Sequence, residues 1–62
     1  MIIRKEPKDK ENYVIVTSKD NIILHQNGFI PRFMSFDGEL YFYTRSDNIL
    51  SFIKDNNLKA LG

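Results

Sequence analysis

The side chains able to do chemistry in this sequence are few and scattered. His25 is the only histidine, and cysteine is absent. A zinc centre needs about four converging Cys, His or acidic ligands. A histidine acting as general base needs a nucleophile to serve and a group to orient it. His25, followed by Gln26 and Asn27, brings neither. Asp20 and Asp47 recur in the same context, Thr-x-x-Asp-Asn-Ile, where the first turn of a helix favours negative charge, so both read as capping residues rather than as an acid and base. Asp37-Gly38-Glu39 supplies two carboxylates, far short of the roughly six ligand positions of an EF-hand loop, and reads as a turn. Gly28 and Gly38 fall in no phosphate-binding glycine pattern, and Ser18, Ser35, Ser46 and Ser51 lie in no nucleophile elbow. The expectation is a non-catalytic protein with no cofactor and no metal.

The aromatic run Tyr41-Phe42-Tyr43 is the other chemically suggestive feature. Aromatic rings on an open sheet can stack unpaired bases at roughly 1–3 kcal/mol each, loosely as on an RRM platform. The basic, glycine-containing signature of that fold is missing, and only Arg32, Arg45 and a few lysines could meet phosphates. Nine basic residues against eight acidic ones give a formal net charge of +1. The balance is even along the chain: Arg4, Lys5, Lys8 and Lys10 stand against Glu6, Asp9 and Glu11 in residues 1–12, and residues 13–62 carry five of each sign. No basic arm invites nucleic acid or anionic lipid, so a single-stranded nucleic-acid module is the disfavoured alternative.

Such residues must be positioned by a chain of 62 residues, which has room for one hydrophobic core. We expect a single domain, 1–62, made of an N-terminal segment with a polar loop (1–12) and a core (13–62). No apolar run approaches the roughly 20 residues of a membrane span. The opening Met-Ile-Ile-Arg-Lys lacks the apolar core and cleavage site of a secretory signal. A cytoplasmic protein is expected on that ground.

Residues 4–12 are polar, mixed in charge and interrupted by Pro7, as in a solvated loop, while Ile2 and Ile3 fit either a short edge strand or a tuck against the core. Tyr13–Thr17 is β-branched and aromatic, the first core strand. Thr17 with Asp20 three residues later resembles a capping box and opens a helix carrying Ile22, Ile23 and Leu24 inward and ending at Asn27-Gly28. Asp37-Gly38 between apolar runs predicts a two-residue hairpin loop, because a type I′ turn needs positive φ at both central residues. Thr44 to Asp47 repeats the capping arrangement before a second helix with Ile49, Leu50, Phe52 and Ile53, fading near Asn56-Asn57 and leaving Leu58 and Leu61 to dock back. Residues 14–23 and 41–50 echo one another at an offset of 27. The fold class is therefore α+β, a small β-α-β-β-α domain with a three-stranded mixed sheet and two helices on one face.

Strand alternation sorts the sheet residues onto two faces. One holds Tyr13, Ile15, Phe33, Ser35, Leu40 and Phe42, and being more apolar per position it is assigned to the helices. The other holds Arg32, Met34, Phe36, Tyr41 and Tyr43 with Val14 and Val16. Left open, Arg32, Met34, Phe36, Tyr41 and Tyr43 would form a partner-binding surface for a foreign protein or a second copy of the chain.

In overall style, short and rich in Ile, Lys and Asn, with Tyr-Val-Ile-Val-Thr-Ser-Lys, a short helix and then Gly28-Phe29-Ile30-Pro31, residues 13–54 resemble small proteins of phages and prophages of low-GC bacteria. The resemblance transfers no site residues. It implies a protein acting in the host cytoplasm as a stoichiometric regulator or inhibitor of a host protein. The functional expectation is a non-catalytic binding module, with a structural homo-oligomer as the further alternative.

Overall fold

A computed structural model describes residues 2–61; Met1 and Gly62 lie outside the described residues. The elements run β1 (Ile3–Arg4), a 3₁₀ turn (Lys10–Asn12), β2 (Tyr13–Thr17), α1 (Ser18–Gln26), β3 (Phe33–Met34), β4 (Leu40–Thr44) and α2 (Asp47–Asp55). The sheet has four strands in the order β1-β3-β4-β2, not three, because Ile3 and Arg4 pair in parallel with Phe33 and Met34. The first core strand, β2, lies against β4 and runs antiparallel to it from Tyr13↔Thr44 to Thr17↔Leu40. The α+β class and the two helices stand as expected; the extra strand is the departure. Among the described residues, no helix is long and apolar enough to cross a membrane.

The helices cover the face opposite to the one the sequence favours. Val14, Val16 and Tyr43, all at most 2% exposed, pack with Leu24 of α1 and Ile49 and Ile53 of α2, and Phe29, Tyr41, Phe52 and Leu58 border this core. Counting apolar residues misleads here because tyrosine belongs inside when its hydroxyl finds a partner. Tyr43 finds one: its phenol donates to the side-chain oxygen of Asn21 on α1. The compact valines beside it let the helices approach the sheet.

The second face is not bare either. Phe42 is 1% exposed, although it points away from the helix-side core. Tyr13 and Phe33, on the strands flanking β4, meet edge to face with centroids 5.4 Å apart and close over it. The link from β1 to β2 joins strands at opposite edges of the sheet; apart from the buried Pro7, residues 5–12 are exposed, as the solvated loop their composition suggests.

Helix and turn details follow the local chemistry. In α2, Ile49 and Ile53 are buried four residues apart, as a 3.6-residue period requires. In α1 only Leu24 is buried, while Ile22 is 57% exposed. Three consecutive residues on a helix are spread over roughly 200° and cannot all face inward. Thr17 is the N-cap residue of α1, yet its side chain makes no capping bond. α2 starts two residues later than the echo implies, capped by Ser46 accepting from the Ile49 amide. The Arg45 guanidinium instead reaches back to the carbonyls of Glu11 and Tyr13. Both helices end as their sequences suggest, with Gly28 at φ 92° and Asn57 at φ 56° in the left-handed region.

The β3–β4 hairpin forms with Phe33 opposite Phe42 and Met34 opposite Tyr41, but its turn is not the two-residue one. The Gly38 amide donates to the Ser35 carbonyl, so Phe36 and Asp37 are the central residues and Gly38, at φ 78°, takes the left-handed position. Buried Ser35 explains the shift. Its hydroxyl donates to Asp37 Oδ1 at 2.6 Å and accepts from the Leu40 amide, while Asp37 Oδ1 also accepts from the Glu39 amide. A carboxylate serving two donors does not need positive φ at Asp37. The same bonds, Ser35 foremost, hold the Asp37 carboxyl below its ordinary value.

Candidate functional site

The helix layer sits over β2 and β4, and α1 meets both. Toward β3 the same face is left uncovered, and a groove of about 420 Å³ opens there. Its walls are Asn21, Ile22, His25 and Gln26 from α1, Met34 and Tyr41 from the hairpin, and Ile2. Sequence and register dictate this combination. Met34 and Tyr41 are cross-strand partners on the helix face, and Ile22 is the member of the Ile22-Ile23-Leu24 run that the helix turns farthest outward. Asn21 accepts from the Tyr43 phenol, so the α1 wall of the groove is tied to the core. Phe36, two residues beyond Met34 at the hairpin tip, is 82% exposed.

The five residues expected to form one surface therefore separate into different settings. Met34 and Tyr41 are half-buried in the groove, and Phe36 is exposed in the hairpin turn without lining it. Tyr43 lies in the core, because its face is the one the helices cover. Arg32 is exposed at the far end of the hairpin, in a separate depression of about 330 Å³ with Ile3, Ile30, Pro31 and Thr44. Tyr43 and Phe42 are too enclosed to offer a ring face to a base, so the aromatic run is not an open stacking platform. Ile22 and its polar neighbours on α1 were missed by the strand-based reading. The helical period alone would have found them, since an isoleucine two positions from a buried leucine lies about 200° away.

The groove combines an apolar floor with a rim of amide and imidazole groups. That arrangement can accept an apolar side chain and hydrogen-bond the backbone that carries it. Among the described residues no three His, Cys, Asp or Glu side chains come together to hold a metal ion. Comparisons with protein-family models, with curated proteins and with solved structures found no match to this chain.

Proposed function

We propose that the protein is a non-catalytic binding module that regulates or inhibits a protein partner, which it engages through the groove between α1 and the β3–β4 hairpin. The observation that carries this reading is the set of apolar side chains around one opening, Ile22 at 57% exposure with half-buried Met34 and Tyr41, and the 82% exposed Phe36 two residues beyond Met34 in the hairpin turn. Aromatic residues and methionine are enriched in the buried centres of protein interfaces, where a few anchors supply most of the affinity. His25, Gln26 and Asn21 would form the polar rim. The resemblance to small phage proteins supports a stoichiometric role on a host protein.

Phe36→Ser and Ile22→Ser separate binding from folding, since both side chains are exposed. In pull-downs from the parent cell, or from its host if the chain is viral, a protein captured by the wild type is expected to be lost with either variant. With the captured protein in hand, affinity should fall about tenfold or more per anchor, while thermal melting stays within roughly 0.5 kcal/mol of wild type. Equal capture by wild type and both variants would remove the groove from consideration. Tight oligonucleotide binding that weakens with salt would replace the protein partner with a nucleic acid.

A further inference from the structure

A sheet ordered β1-β3-β4-β2 has two edges. The β1 edge is two residues long. The β2 edge is five residues long, Tyr-Val-Ile-Val-Thr, uncharged and rich in β-branched side chains. Left unprotected, such an edge recruits another strand.

In an extended strand, successive residues send their backbone groups to alternate sides. Ile15 presents its carbonyl away from β4, to the Leu61 amide at 2.7 Å, so Tyr13, Ile15 and Thr17 form the outward set. The ends of that set are closed by the fold itself. The Tyr13 amide donates to the Lys10 carbonyl of the 3₁₀ turn, its carbonyl accepts from Arg45 Nη2 at 3.1 Å, and Thr17 leads directly into α1. Among the described residues, the C-terminal segment closes the middle. Leu58 packs on the core, the Lys59 amide donates to Asp20 Oδ2 at 3.2 Å, and Leu61, 54% exposed, lies on Ile15 mainly through its backbone.

We propose that the outer edge of β2 is a latent self-pairing site and that residues 58–61 are the strap that holds it shut. With Leu61 displaced, β2 pairs antiparallel with β2 of a second copy about a two-fold axis through Ile15. A second copy fits because Ile15 is the central residue of the strand. An antiparallel pair centred on it exchanges two hydrogen bonds, each Ile15 amide donating to the partner's Ile15 carbonyl. The apolar Ile15 side chains then face one another, and Tyr13 lies opposite the partner's Thr17 with no like charges to repel. Strap and second copy compete for one acceptor, the Ile15 carbonyl, so the two states exclude each other.

The test uses the full chain with Leu61→Pro, which removes the amide donor, beside Leu61→Ala, which keeps it. Sedimentation velocity over a concentration series is expected to show association of Leu61→Pro, with Leu61→Ala and wild type sedimenting alike as monomers. Amide hydrogen exchange at Ile15 should slow at least about tenfold as Leu61→Pro associates. Asp20→Ala, which frees the strap at Lys59 without touching β2, should shift association in the same direction to a smaller extent. The proposal is overturned if Leu61→Pro sediments as wild type, if both Leu61 variants associate equally, or if association leaves the Ile15 amide unprotected. Should Leu61→Pro lose its helical circular dichroism, Asp20→Ala decides: association with Ile15 protection supports the strap, and a monomer overturns it.

Discussion

Tyr43→Ala is expected to leave almost no folded protein at 25 °C. Truncating a buried aromatic costs roughly 3–5 kcal/mol, and a core of this size rarely supplies more than about 3–5 kcal/mol in total. Tyr43 is among the largest fully buried side chains, at the meeting of β2, β4 and both helices. Circular dichroism of Tyr43→Ala should therefore resemble that of the urea-unfolded chain; a native spectrum would show that the helices do not cover this face. Tyr43→Phe separates the ring from the hydroxyl. It should fold and lose about 1 kcal/mol with the hydrogen bond to Asn21. Burial, with a smaller push from Tyr41, raises the Tyr43 phenol to about 12 from an ordinary value of 10.0. Above pH 10 the unfolded chain ionises this phenol while the folded chain does not. The wild type's advantage is then complete below pH 10 and shrinks as pH rises toward 12. Urea denaturation of wild type and Tyr43→Phe from pH 8 to 12 should show that narrowing, and a constant gap would mean that the phenol is not enclosed.

Leu24→Ala and Ile22→Ala should differ sharply although the two residues are neighbours on α1. Leu24 is 0% exposed and central to the core, so its truncation should cost about 2–5 kcal/mol. Ile22, exposed on the groove wall, should change stability by roughly 0.5 kcal/mol or less. Urea midpoints at constant slope report both values. Equal costs would mean that α1 is rotated about its axis relative to the orientation described, and the groove would go with it.

Where a local rule acts within a few residues, the sequence was readable. Gly28 and Asn57 end their helices, and the β3–β4 pairing of Phe33 with Phe42 follows from the apolar runs on either side of the turn. Where two solutions satisfied the same pattern, the deciding contact was distant. Alternation separates Val14, Val16 and Tyr43 from Ile15 and Phe42, but which set meets the helices is decided by packing against Leu24, Ile49 and Ile53, residues distant in the chain, with the Asn21 bond to the Tyr43 phenol spanning 22 residues. Likewise Ile3 pairs with Phe33 across 30 residues, and no periodicity in so short a segment announces it. The hairpin turn was displaced by a single buried hydroxyl, Ser35, whose burial is itself a product of the fold. Of the five expected surface residues, Met34 and Tyr41 meet at the groove, and Phe36 is exposed in the adjoining turn. Their alternation was read correctly, but the partner wall, α1, was placed on the wrong side of the sheet.

The brevity of every element makes the molecule cooperative. Each helix has nine residues, below the roughly 12–15 needed for even marginal helicity in isolation. The hairpin has two ladder pairs and β1 two residues, and an isolated two-stranded hairpin is at best marginal in water. The longest ladder, β2 with β4, joins residues 23 to 31 apart in the chain, so it forms only once the intervening helix and strand are drawn together. Neither a helix nor the hairpin of this chain can then hold its structure alone, and unfolding should be a single transition, with helical circular dichroism and tyrosine fluorescence lost together.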